Sequence, residues 1–395
     1  MSVGSTPNGP PRRGAWIAVG LSLAAVAGWI AWSTGRSTWL RAQVDSAVRE
    51  TDWPTAATAL DRYLWYRPGD TEAIRTRVEI AEHLGDRAGA VAWLARVPDS
   101  APEAASAQFR RGVLLKEMFR LREAEAAFLA AMERDPDALE PRRELVAILG
   151  VLRRATEQEE ALWGLLQAGG AIEALRLLAQ SSVVIPPGTF AKTIDEGLVL
   201  ERALQVDPDH PDVRPALGRF HRMRGETAKA LTSLEVWLDD HPGDADARVE
   251  WLACLLDDGQ VDAATPWFDP PRSGMTHLAD YRRLRGDWQH LQGRPEKALN
   301  DYREAVRLAP RDAEARYRLA LGLRAAGKLD EARKAMAYHQ TLRSFAEVAA
   351  AVSVENPDLA KVVEASETCR ALGPDRGREA EAWSTLADRL RRRGS

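Results

Sequence analysis

The amino-acid sequence predicts an all-α solenoid of repeated helix-turn-helix units, preceded by a single transmembrane helix. Three observations carry that expectation. Residues 14 to 35, "GAWIAVGLSLAAVAGWIAWSTG", contain no charged side chain. A fourteen-residue pattern of small, large apolar, small or aromatic, and proline then recurs along the chain. Gly225, Gly259, Gly293 and Gly327 fall on one grid of 34 residues, and two of the pattern's series share that period. Repetition at such a period marks stacked supersecondary units, so length alone is a poor guide to domain count.

The first thirteen residues form a short polar tail. Roughly 20 apolar residues span a bilayer core as a helix, which the run from 14 to 35 satisfies. Trp16, Trp29 and Trp32 stand near its ends, where indoles favour the membrane interface. A cleaved signal peptide is the rival reading, because Ala25-Val26-Ala27 supplies small residues at a suitable spacing. The apolar run continues past that position through Trp32, which favours an uncleaved anchor. Arginines flank both ends, and the expected arrangement keeps the tail inside and exports the remainder.

After the anchor the repeating pattern begins. "KALNDYREAVRLAP" (297–310) places Ala298, Tyr302, Ala305 and Pro310 at offsets that "EAEAAFLAAMERDP" (123–136) repeats with Ala124, Phe128, Ala131 and Pro136. "KALTSLEVWLDDHP" (229–242) gives Ala230, Leu234, Trp237 and Pro242, and "TAATALDRYLWYRP" (55–68) gives Ala56, Leu60, Tyr63 and Pro68. Offsets of three and four put these side chains on one helical stripe, and the proline stops the helix. Small residues let the helix approach its neighbour while the larger one fills the gap towards the next unit. Each glycine of the grid marks the turn between two helices, where a left-handed backbone is often needed.

This pattern resembles the tetratricopeptide repeat. The resemblance covers roughly residues 37 to 395 and implies a right-handed superhelical solenoid with a concave groove lined by first helices. Reading frames fall near 37, 71, 105 and 139, then near 177, 211, 245, 279 and 313. We expect a first subarray over 37–172, a degenerate repeat with an enlarged loop over 173–210, and a second subarray over 211–346. A further degenerate repeat and a capping helix complete the chain over 347–395. "ATPWFDPPRSG" puts Pro266, Pro270 and Pro271 where a second helix should run, so that helix is expected to be short. Arg282 and Arg285 occupy slots that are usually apolar, with Trp288 nearby in compensation.

Composition narrows the function. Hydrophobic residues make up 45% and charged residues 28%, with a formal net charge of −4, which excludes a general nucleic-acid binder. Cys254 and Cys369 are the only cysteines, too few and too distant for a disulfide or metal framework. No phosphate-cradling glycine loop, HExxH helix, CxxC pair or GxSxG elbow is present, so we expect no enzyme, cofactor or metal. "DPDHPD" (207–212) gathers Asp207, Asp209, His210 and Asp212, yet Pro208 and Pro211 place it at a turn that caps the next helix.

What remains is binding. The resemblance assigns Arg143, Arg219, Arg222, Arg283, Tyr317 and Arg324 to first-helix positions that face the groove. Arginines there would suit a protein partner carrying acidic segments, through forked hydrogen bonds. The family's clamp for chaperone tails uses Lys and Asn at positions that here hold Pro215, Arg219, Val249 and Ala253, so that activity is not implied. The uncharged run and the resemblance together imply a membrane-anchored scaffold for protein partners at a bacterial cell envelope, its repeats outside the cytoplasm. The alternative it offers is an accessory subunit of an envelope enzyme or biogenesis complex, of the haem-protein maturation or outer-membrane and polysaccharide assembly type.

Overall fold

The computed structural model describes residues 32, 34–180 and 195–394. Apart from Trp32, Thr34 and Gly35, the expected anchor lies outside the described residues, as does the expected loop at 181–188. Among the described residues every regular element is helical and no helix is long and apolar enough to cross a membrane. The chain divides into two compact units at Leu114 and Leu115, a boundary that falls within the expected first subarray.

The first unit holds α1 (34–49), α2 (Trp53–Tyr66), α3 (Thr71–His83), α4 (Arg87–Leu94) and most of α5 (Ala104–Glu117). The second begins with α6 (Leu121–Arg134), α7 (Leu139–Val151), α8 (Ala155–Gln167), α9 (Ala171–Gln180) and α10 (Glu196–Val206). It continues through α11 (Val213–Met223), α12 (Thr227–Asp240), α13 (Ala245–Asp257), α14 (Val261–Phe268), α15 (Ala279–Leu291) and α16 (Pro295–Leu308). It ends with α17 (Ala313–Ala325), α18 (Leu329–Ala350), α19 (Leu359–Ala371) and α20 (Gly377–Gly394). The proline-rich segment confines α14 to eight residues, as its sequence predicts.

The recurrent pattern maps onto contacts. Ala298 and Ala305 are fully buried, and Tyr302 is sandwiched between two other helices. A β-carbon placed on Gly286 of α15 would lie 2.5 Å from the Tyr302 ring, and one on Gly322 of α17 would lie 2.7 Å away. Both positions must therefore lack a side chain for the aromatic to span neighbouring units. The Tyr302 hydroxyl donates to Asp287 at 2.8 Å. A second device joins units across their turns. Asp244 caps α13 by accepting from the Ala247 amide at 2.9 Å, and its other oxygen accepts from the Trp237 indole at 2.7 Å. Asp70 repeats this with the Ala73 amide at 3.0 Å and the Tyr63 hydroxyl at 2.6 Å. Tyr63 and Trp237 hold the same slot of the pattern, so at these two junctions an aromatic donor ties a second helix to the cap of the next first helix.

The four grid glycines take left-handed φ angles of 74°, 76°, 71° and 74°. Gly85 does likewise at 72°, and Thr51, Phe119 and Arg153 occupy the same register at 58°, 59° and 59° without being glycines. Left-handed backbone costs an L-residue about 1–2 kcal/mol, so these three turns are held by the helices they join.

The degenerate repeat departs from the expected frame. Gly169, at φ 113°, ends α8, and α9 begins at Ala171 rather than near 177. Its apolar face is not covered by α10. It packs instead on α18 and α20, helices more than 150 residues away in sequence. The long α18 makes this possible, because its second half carries Leu342 and adds Phe345 and Ala349 beyond the fourteen residues of α12 and α16. Leu175, Leu178, Leu342, Phe345, Val362 and Trp383 are buried in one cluster. Arg311 pairs with Glu159 of α8 and, at 2.8 Å, with the buried Glu379 of α20. Neighbour-only stacking thus fails at α9, whose apolar side is buried against helices far along the chain.

Candidate partner-binding face

Within the second unit, α11, α13, α15 and α17 lie side by side, each touching the next first helix. The second helices show no comparable row, so the first helices form the closer-packed side, and their outward positions make one continuous face. The predicted groove residues sit on these helices and on α7, and most are engaged by the chain itself. Arg143 binds Glu173 of α9 at 2.7 Å. Arg219 and Arg222 of α11 both grip Glu250 of α13, at 2.8 and 2.5 Å, and Arg222 also reaches Asp257 at 3.0 Å. Arg283 pairs with Asp280 at 3.1 Å and lies 3.8 Å from Asp287. Tyr317 stacks obliquely against His339, ring centroids 5.2 Å apart, and Arg324 is exposed.

Glu250 explains why two arginines converge. Only 5% of its side chain is exposed. Burial pushes its carboxyl up, but the two guanidinium charges and their hydrogen bonds outweigh that and hold it at about 2. Asp301 of α16 is a parallel case, buried and held by Arg285 at 2.7 Å and Arg282 at 3.3 Å. Those arginines take slots that are apolar in the pattern because they neutralise a buried acid, while Trp288 fills the core and donates to the Thr265 hydroxyl at 3.1 Å. Pairs between consecutive first helices recur elsewhere, as in Arg41 with Glu72 at 3.0 Å and Lys116 with Glu144. The arginines of this face are therefore first of all braces between units.

Acidic groups line one end of the same face. Asp212, Asp246, Asp280 and Glu314 are spaced 34 residues apart at the beginnings of the four first helices. Burial and then the neighbouring Asp244 and Asp280 raise the Asp246 carboxyl above its ordinary range. Burial and then Asp280 do the same to Asp312. No sequence argument singled out this row or Glu250, although the period of 34 was enough to reveal the row.

The "DPDHPD" turn is a structural joint. His210 is 3% exposed, and its Nδ1 accepts from the Asp212 amide at 3.2 Å. Arg122 donates to the Asp209 carbonyl at 3.1 Å and lies 3.3 Å from Asp207, while Arg154 lies 3.7 Å from Asp212. Burial, reinforced by Arg122, lowers the His210 pKa. Among the described residues no group of three or more His, Cys, Asp or Glu is arranged to hold a metal ion. Cys254 and Cys369 are buried thiols that burial pushes up to about 12.

Tetratricopeptide-repeat family models match residues 41–105, 198–245 and 292–351, and a second such model matches 105–138, together a little over half of the chain. No curated protein matches it. Solved structures similar to it include a tetratricopeptide repeat protein from Parabacteroides merdae ATCC 43184, at 15% identity and TM-score 0.34, covering 64% of this chain and 98% of that one. The Cut9–Hcn1 hetero-tetramer of the APC/C matches at 14% identity and TM-score 0.35, covering 89% and 79%. YrrB, described as a TPR protein with an unusual peptide-binding site, matches at 18% identity and TM-score 0.29, covering 53% and 89%. With its period, its left-handed turns and the family models in agreement, the chain belongs to the tetratricopeptide-repeat family.

Proposed function

We propose that this protein is a scaffold that binds protein partners along the first-helix face of α11, α13, α15 and α17, and that residues 14–35 tether it to a membrane with the repeats outside the cytoplasm. The observation that carries the binding reading is the continuous row of first helices, each in contact with the next. Such a row offers an extended surface for a segment of another chain. The membrane reading rests on the uncharged, tryptophan-flanked run alone.

The acidic partner expected from the sequence meets arginines that are already neutralised. A partner carboxylate would have to displace Glu250 from Arg219 and Arg222, or Asp280 from Arg283. Arg324 and Tyr317 are the groove positions free of such pairs, and we assign them the partner contact. Photo-crosslinking residues at positions 317 and 324, compared with one at exposed Arg333 on α18, test this in native membranes. Specific adducts at 317 and 324 but not at 333 support the face. Equal adducts at all three, or adducts at 333 alone, reject it.

A further inference from the structure

Thirteen tryptophans occur in the sequence, and among those described only Trp32, Trp39 and Trp65 are exposed. Their exposures are 58%, 51% and 71%, and all three belong to the first unit. They are gathered at one end of it. Because α1 and α2 run in opposite directions, the last turn of α2 returns to the beginning of α1. The Trp32 and Tyr66 rings meet edge to face at 5.7 Å, and Trp65 meets Tyr66 at 4.7 Å. Arg36 and Trp39 stand three residues apart on α1, and the Arg36 guanidinium lies 4.5 Å from the Trp39 ring centroid.

The acids nearby are engaged within the unit. Asp61 binds Arg77 at 2.6 Å, Asp70 takes the Tyr63 hydroxyl, and Glu72 pairs with Arg41. Arg36, Arg62 and Arg67 are exposed, each within three residues of one of these rings in sequence. A first unit in a stacked array ordinarily turns a polar face to solvent at its free end. Here the start of α1 and the end of α2 carry a collar of indoles and arginines instead, and Trp32, Thr34 and Gly35, the described end of the uncharged run, lie at the same place.

We infer that this collar is a membrane-interface dock: Trp65, Tyr66, Trp32 and Trp39 insert among lipid head groups, and Arg36, Arg62 and Arg67 lie against their phosphates. Indoles and tyrosines prefer this layer because each presents an apolar body and a polar edge. Arginine beside them gains from the negative surface potential of anionic lipid. The inference rests on the membrane-anchor reading and adds that the first unit is held flat on the bilayer rather than swinging from its tether.

Position 65 discriminates between these states, since it lies far along the chain from the anchor but is joined through Tyr66 to Trp32 at the anchor's last turn in sequence. The experiment uses the full chain reconstituted in vesicles of phosphatidylcholine and phosphatidylglycerol. Trp65→Cys, Trp39→Cys and Thr55→Cys each carry a bimane label, and Cys254 and Cys369 stay unlabelled because they are buried. Thr55 is the exposed reference, about 15 Å from position 65 along the same helix. Nitroxide-bearing lipids should quench labels at 39 and 65 at least about twofold more than at 55. Flotation of the same sample reports the anchor separately. Protein that floats while position 65 is quenched no more than position 55 overturns the dock and leaves the anchor standing. If a second copy shields position 65 in floating vesicles, the occupant is protein and the dock is again overturned. Protein that does not float removes the anchor and the dock together.

Discussion

Replacing Glu250 by Gln removes one negative charge from a site where two guanidinium groups converge at 2.8 and 2.5 Å. The amide is nearly isosteric, so the perturbation is electrostatic. Breaking a buried pair costs about 3–5 kcal/mol because the remaining charges lose their partner. Arg219 and Arg222 keep 30% and 24% of their side chains exposed, so water softens the loss towards the lower end, about 3 kcal/mol. The pH dependence points in the same direction. Glu250 titrates near 2 when folded, against 4.5 for an unperturbed glutamate. A depressed pKa stabilises the fold above the unfolded value and loses that contribution as pH falls through the folded one. The shift corresponds to about 3 kcal/mol near neutrality and to about 1 kcal/mol near pH 3. Denaturant unfolding of the wild type and Glu250→Gln at both pH values measures this, and the variant's deficit should shrink in acid. A deficit below about 1 kcal/mol at neutral pH, or one that does not change with pH, would refute the reasoning. Converting all three groups together, Arg219→Met, Arg222→Met and Glu250→Leu, should restore most of the loss.

Three further outcomes follow from the turns and the close contacts. Thr51→Gly should raise stability by about 0.5–1 kcal/mol in thermal or denaturant melts, because the exposed threonine sits at φ 58°. Gly259→Ala, at φ 76°, should lower it by about 1–2 kcal/mol by the same argument with opposite sign. Gly286→Ala should cost about 1–3 kcal/mol, since its methyl group would stand 2.5 Å from the Tyr302 ring, and Tyr302→Leu in the same chain should recover part of that.

Much of the repeat architecture was legible because a physical requirement recurs at a fixed spacing. The glycine grid marks left-handed turns, and the pairing of Tyr302 with Gly286 and Gly322 marks close helix approach. What the period does not carry stayed hidden. Thr51, Phe119 and Arg153 adopt the same left-handed turn without the residue that signals it, because the flanking helices impose the geometry. Glu250 and Asp301 look like surface acids in sequence and are buried, since their neutralising arginines come from other helices. The groove arginines were read as free cations for the same reason: a one-dimensional pattern shows the slot but not the carboxylate one unit away. The contact between α9 and α18 was invisible because nothing local distinguishes an apolar face awaiting its neighbour from one awaiting a helix far along the chain. The excess length of α18 was its only trace.

The claim that the second unit closes on itself through α9 can be measured directly with a double-mutant cycle between Leu178 of α9 and Phe345 of α18, both fully buried in one cluster. Each truncation to Ala alone should cost about 2–5 kcal/mol. The closed arrangement predicts a coupling energy of about 1 kcal/mol or more between them, because both belong to one buried cluster shared by the two helices. Additivity within about 0.5 kcal/mol would contradict it, and would mean that helices so far apart in sequence do not pack together.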